Sequence, residues 1–259
     1  MAHLPAAFGT WVRPLENPVG GCDVGNNRSV TAPITFAHRG ASADEPENTL
    51  AAFRLALELG ARGLESDARL SADGEVVLVH GAVARQGWRR KRVAQSTAAE
   101  LAELDVPRLA DLYAELGADY ELSLDIYDPA AGKALVGVAA DAGATHRLWL
   151  CSSRTPLLES LGAVAPEAHL VHSIRRRNLD VPLERHAAQL AEAGIGVVNM
   201  HRSDWTAGLV GLFHRFEVLA FGWDAQEVRH LRELLAIGID AVYSDHVARM
   251  VATVGEFKV

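Results

Sequence analysis

Side chains able to donate protons, accept them or hold a cation fall at the ends of short apolar runs: His38 and Arg39, Glu65 and Asp67, His80, and Asp125. Glu65 and Asp67 stand two apart in GLESDARL, so on an extended strand both carboxylates project to the same side. With Asp125 they offer an all-oxygen donor set, which suits a hard divalent cation, Mg2+ or Ca2+. His38 and His80 remain for acid and base work near neutral pH. Each group alone has an ordinary structural reading, as a hydrogen-bonded strand-end histidine or a solvated acidic rim. Their coincidence carries the signal, because an apolar core gains nothing from such groups.

For these residues to meet, strand ends must converge. From Ile34 onward, β-branched runs alternate with Ala/Leu/Glu/Arg-rich stretches of helical period, the pattern of repeated βα units around a parallel sheet. Candidate strands lie at 34–38, 63–67, 76–80, 121–126, 147–152, 169–174, 195–200, 218–223 and 239–244. Eight parallel strands would close a TIM (β/α)8 barrel whose strand C-termini share one mouth. The extra run is explained by 68–75, too short for a parallel crossover and containing the turn signal Asp73-Gly74. The run 76–80 is therefore expected to return antiparallel as a small hairpin after the second strand, bringing His80 beside Asp67. After PENT at 46–49, Asn48 or Thr49 can cap a helix that presents Leu50, Phe53 and Leu57 on one face and closes at Gly60. Further helices are expected at 98–104, 108–117, 130–142, 155–163, 181–193, 206–215 and 225–237.

The 259 residues read as a Pro- and Gly-containing arm over 1–33, lying against one domain over 34–259. A net charge of −8 sets a global field that repels nucleic acid and anionic membrane, so any phosphate site must be made locally. Cys22 and Cys151 have neither disulfide-framework nor zinc-ligand spacing. With no leader-like N-terminus and no 18-residue apolar run, a cytoplasmic protein without stable membrane insertion is expected. Oligomeric state is not written in the sequence.

AHRG at 37–40, PENT at 46–49, the acids of LESD at 64–67, DGEVVLVH at 73–80, LAFGWDAQ and AVYSDH together resemble the glycerophosphodiester phosphodiesterase family. The likeness runs in order from about Ile34 to the end. It implies a TIM barrel that hydrolyses small glycerophosphodiesters to glycerol 3-phosphate and an alcohol, using a divalent cation and two histidines. By that resemblance His38 and His80 are the catalytic pair, and Glu65 and Asp67 are metal ligands. Arg39 contacts phosphate, and Trp223 lies near the substrate. His38 is read as the base and His80 as the acid.

Three positions depart from the family pattern. Gly81 follows the second histidine where an acid is usual, Asp125 replaces a glutamate ligand, and Tyr127 stands where the family has lysine. Tyr127 removes a positive charge from the expected phosphate site, although a phenol still donates a hydrogen bond. WRRKR at 88–92 is either a solvated charge run or a segment that folds Arg89, Arg90, Lys91 or Arg92 over the mouth in compensation. His172, His201, Ser152 and Ser153 could line the pocket or be structural, and His214 reads as structural. Three alternatives share the scaffold: phospholipase D-like activity, phosphatidylinositol phospholipase-like activity, and a catalytically silent phosphodiester-binding protein.

Overall fold

The computed structural model describes residues 32–257. The arm expected over 1–33 falls almost wholly outside that range, as does Cys22. The strands are β1 (Ile34–His38), β2 (Gly63–Leu70), β3 (Val76–Leu78), β4 (Val83–Gln86), β5 (Arg89–Arg92), β6 (Glu121–Ile126), β7 (Leu148–Ser152), β8 (His169–Ser173), β9 (Val197–His201), β10 (Leu219–Trp223) and β11 (Ala241–Ser244). The α-helices are α1 (Leu50–Glu58), α2 (Ala98–Ala102), α3 (Leu109–Leu116), α4 (Pro129–Asp141), α5 (Thr155–Gly162), α6 (Leu183–Glu192), α7 (Ala207–Arg215), α8 (Val228–Ala236) and α9 (Val247–Glu256).

Eight strands pair in parallel in the order β1-β11-β10-β9-β8-β7-β6-β2, and β1 also pairs with β2, so the sheet closes into the expected barrel. β3 runs antiparallel to the upper end of β2, with Ala68 opposite Leu78 and Leu70 opposite Val76, as the short Asp73-Gly74 connection requires. It ends at Leu78, leaving His80 two residues beyond the strand. Two elements differ from the sequence reading. Residues 83–92 form a second antiparallel hairpin, β4-β5, seated by Ala84 and Val93 on Val77, Leu101, Leu104 and Val106. Helix α9 also exists, burying Val247, Met250 and Val254 along one helical face.

Inward-facing residues alternate with outward ones along each strand, and aromatic side chains fill the middle of the barrel. Phe36 stacks on Tyr243 at 4.8 Å between ring centroids and meets Trp149 edge-on at 6.1 Å. Phe221 lies 6.0 Å from Phe36 and 5.2 Å from Trp149. Two residues further along β1 on the same inward side comes His38. A water-excluding plug thus lies directly beneath the mouth.

Gly63 is the concession that lets Phe36 sit there. A Cβ at Gly63 would come within 2.6 Å of the Phe36 ring and 3.0 Å of the Glu121 carbonyl oxygen. We expect Gly63→Ala to destabilise the fold by about 1–3 kcal/mol through overpacking. Chemical denaturation should also show that loss shrinking in a Phe36→Leu background, because the two sites are in contact and not additive.

Candidate active site at the barrel mouth

The loop after β1 turns sharply under the constraint of its own helix. Arg39 takes a left-handed backbone (φ 57) and Gly40 another (φ 80), and a Cβ on Gly40 would lie 2.6 Å from the Ala52 carbonyl carbon of α1. Glycine is therefore required there by both torsion and packing. The turn directs the Arg39 amide at Glu65, whose carbonyl and Oε2 both accept from it at 3.0 Å.

Each residue of PENT has a visible task. The Pro46 carbonyl accepts from the Thr49 hydroxyl at 2.8 Å, while Thr49 Oγ1 caps α1 by accepting from the Ala52 amide at 3.2 Å. Glu47 accepts from Arg39 Nη1 at 2.8 Å. Asn48, buried and left-handed (φ 59), accepts from Ser66 Oγ at 2.6 Å and turns Nδ2 to Asp67 Oδ2 at 3.4 Å. The motif is both a helix start and a brace for Arg39 and Asp67.

Glu65, Asp67 and Asp125 converge as read from the strand ends. One carboxylate oxygen from each lies within 4.8 Å of the others, and β2 and β6 place Asp67 directly opposite Asp125. Burial, reinforced by Asp67, pushes the Asp125 carboxyl up to about 7. Burial likewise raises Glu65, with His38 pulling it down and Asp67 and Asp125 adding to the rise. Groups that resist ionisation in this way, with oxygen donors only, form a place where a hard divalent cation would be stabilised.

His38 Nδ1 donates to Asp245 Oδ1 at 2.6 Å. A carboxylate accepts only, so in the neutral ring this contact fixes the tautomer, and in either protonation state Nε2 faces Glu65 Oε2 at 3.8 Å. Burial alone would lower the His38 pKa, but Glu65 and Asp245 outweigh it and raise it to about 9. Asp245 is itself held by Gln226, whose Nε2 donates to Oδ2 at 3.0 Å and whose Oε1 accepts from the Asp245 amide at 2.9 Å. The sequence reading included SDH and DAQ in a resemblance but assigned neither Asp245 nor Gln226 a task. Their signal was position, one residue past the end of β11 and three past the end of β10.

Tyr127 extends over this group from β6: its hydroxyl donates to Asp67 Oδ1 at 2.9 Å. Above its ring lies the Arg69 guanidinium, 4.5 Å from the centroid, which also donates to the His80 carbonyl at 2.9 Å. Arg69 is a third residue that sequence reasoning passed over. His80 stands at the rim, its neighbour Val79 tied to the Asp67 carbonyl by a 2.9 Å backbone bond. Its side chain is exposed and makes no hydrogen bond among the described residues. Trp223 closes β10 against His201 at 4.6 Å and beneath Arg175 at 5.5 Å.

The remaining candidates divide by the face they take. His201 points into the mouth and bonds Asp224 at 2.9 Å. His172 lies on the helix side of β8, with Nδ1 3.2 Å from His186 Nε2, and Ser152 likewise faces outward toward the Ile126 carbonyl. His214 bonds Asp240 at 2.7 Å on α7. Within WRRKR, Arg89 and Lys91 pair with Glu103 at 2.9 and 3.1 Å, so they bind α2 and its C-terminal turn instead of covering the mouth.

A model of the Glycerophosphoryl diester phosphodiesterase family matches residues 38–249. Over 110 residues the chain is 41% identical to "Probable glycerophosphodiester phosphodiesterase 1" of Mycobacterium tuberculosis, a stretch covering 42% of this chain and 38% of that protein. It is 53% identical over 47 residues to a glycerophosphodiester phosphodiesterase of Caldanaerobacter subterraneus, covering 18% of this chain and 19% of that protein. The chain thus spans well under half the length of these curated relatives. Its fold matches a glycerophosphodiester phosphodiesterase of Thermotoga maritima, with a TM-score of 0.75, 23% identity, and 85% and 97% of the two chains covered. An Oleispira antarctica phosphodiesterase in complex with the product sn-glycerol-3-phosphate gives a TM-score of 0.73 and 22% identity over 87% and 98%.

The charge balance of the acidic group makes a prediction. A carboxyl whose folded pKa is raised costs stability once it must ionise, so the penalty is absent below 3.8 and grows as the pH rises through about 7. In chelator-treated protein, Asp125→Asn should therefore raise the melting temperature at pH 8 and change it little near pH 4. An equal shift at both values would contradict the burial argument.

Proposed function

Because this chain belongs to the glycerophosphoryl diester phosphodiesterase family, we propose that it hydrolyses small glycerophosphodiesters to glycerol 3-phosphate and an alcohol at the mouth described above. The observation that supports this reading is the convergence on one barrel face of His38, Arg39 and the three carboxylates of Glu65, Asp67 and Asp125. Glu65, Asp67 and Asp125 would hold the cation, Mg2+ or Ca2+. When bound, it supplies positive charge that neutralises the phosphodiester oxygens and lowers the barrier to attack on an anion.

In this reading the chain's own groups do the rest. His38, in its neutral form, is the base: Asp245 holds Nδ1, leaving Nε2 to take a proton from the attacking oxygen, whether of water or of the substrate's own glycerol hydroxyl. His80 is the acid that protonates the departing alcohol, its loop steered by the bond from Arg69 to its carbonyl. Arg39 Nε makes no hydrogen bond among the described residues and faces Asp67 Oδ2 only at 3.5 Å, so it keeps a donor that suits a phosphoryl oxygen. Arg69 over Tyr127 supplies the positive charge that tyrosine lacks relative to lysine, and Trp223 borders the substrate's far side.

Hydrolysis of glycerophosphocholine, followed by glycerol 3-phosphate release with each metal and with chelator, tests the proposal. We expect metal-dependent turnover that falls by about 10²–10⁴-fold in His38→Ala and in His80→Ala. Turnover that survives His38→Ala, or that ignores the chelator, would sink it. Arg69→Gln should raise KM with kcat less affected, the pattern of a lost phosphate contact.

A further inference from the structure

The β4-β5 hairpin treats its two faces differently. Register pairs Arg85 with Arg90, Val83 with Arg92, Ala84 with Lys91 and Gln86 with Arg89. On one face Ala84 is buried, Arg89 and Lys91 are neutralised by Glu103, and Gln86 bonds Asp105. On the other, Arg85, Arg90 and Arg92 are exposed and have no acidic partner among the described residues. Arg85 and Arg90 sit directly across from each other, where like charges destabilise a hairpin. At the tip, beside Gly87 (φ 57), Trp88 is 89% exposed.

A chain of net charge −8 has acids to spare, and it places them on only one side of this hairpin. The unmatched side gathers three arginines at neighbouring positions of one hairpin face, and because salt screens charges beyond about 8 Å, this local cluster counts for more there than the distant net charge. Guanidinium forks match phosphate oxygens in pairs. An indole at an apex, apolar in body and polar at its N–H, matches the headgroup layer of a bilayer. To such an apex a nucleic-acid duplex presents phosphates and base edges, with no stacking face for the ring. We propose that this hairpin is a peripheral docking surface for anionic phospholipid, with Arg85, Arg90 and Arg92 on lipid phosphates and Trp88 in the interfacial layer. Adsorption of this kind needs no spanning segment, and among the described residues no helix is long and apolar enough to cross a membrane. The hairpin leaves the barrel three residues after His80, so docking would hold the mouth close to the lipid surface.

Co-sedimentation of the intact protein with phosphatidylcholine vesicles, with and without phosphatidylglycerol, tests this independently of any hydrolysis. We expect binding that requires phosphatidylglycerol and weakens with salt. It should fall about a hundredfold when Arg85→Gln, Arg90→Gln and Arg92→Gln are combined, at about fivefold per arginine. The triple variant should melt no lower than the parent, since it relieves repulsion. Trp88→Phe should abolish a vesicle-induced blue shift in tryptophan emission. Equal binding to the two vesicle types, or full binding by a folded triple variant, would overturn the proposal. So would retention on a DNA duplex as tight as on the anionic vesicles, which would mark a general polyanion patch.

Discussion

Three carboxylates drawn within 4.8 Å of one another at the top of a water-excluding aromatic plug are the constraint around which this molecule is arranged. Like charges in a desolvated place repel strongly, and burial lifts both Glu65 and Asp125 away from their ordinary range. The protein answers with donors. The Arg39 amide and the His38 ring face Glu65, and the Asn48 amide, the Tyr127 hydroxyl and the Arg39 guanidinium face Asp67. The arrangement leaves the acids pointing inward with lone pairs still free, a charge pattern that a cation would complete.

The barrel makes the constraint tenable by fixing where each acid starts. Asp67 and Asp125 are register partners on adjacent strands, and Glu65 pairs with His38 in the same way across β1 and β2. Side-chain alternation then sends these groups into one space above Phe36, Trp149, Phe221 and Tyr243. Shifting either strand by one residue would turn its acid toward the helices. The close fit of Gly63 to Phe36 and of Gly40 to Ala52 is thus also a constraint on the site, because it pins β1 and its outgoing turn.

Much of this was legible because period and motif agree. Strand runs with β-branched residues, Asp73-Gly74 as a turn, and Thr49 as a cap predicted the barrel, the return of β3 and the start of α1. The β4-β5 hairpin was not read because WRRKR is, after its tryptophan, an unbroken run of positive charge and its partner VARQ holds only Arg85, so neither alternates apolar with polar residues. Its seat comes from Ala84 and Val93 meeting residues of α2 and β3, a tertiary fact. Helix α9 did carry the period, in Val247, Met250, Val251 and Val254, and that signal went unread. Asp245 could not be given a task from spacing, since its partner His38 lies 207 positions away in the chain, across the closure of the barrel, and Gln226 bears on that histidine only through Asp245.

The departures at Asp125 and Tyr127 take a different meaning once neighbours are visible. Taken alone, tyrosine in place of lysine deletes a charge from the mouth. In the fold, Tyr127 donates to Asp67, and its ring carries Arg69, so a cation stands over that ring and beside the His80 backbone. The phenol is better suited than lysine to this task, because an ammonium has no face on which a guanidinium can stack and would repel it. Tyrosine just past β6 and arginine on β2 are therefore one arrangement: the first supports the second, and the second restores the charge that the first omits. The shorter Asp125 fits the same logic, since Asp67 is already engaged from three sides by Asn48, Arg39 and Tyr127. A carboxylate kept close to its own strand leaves room at the mouth for the ring and the guanidinium above it.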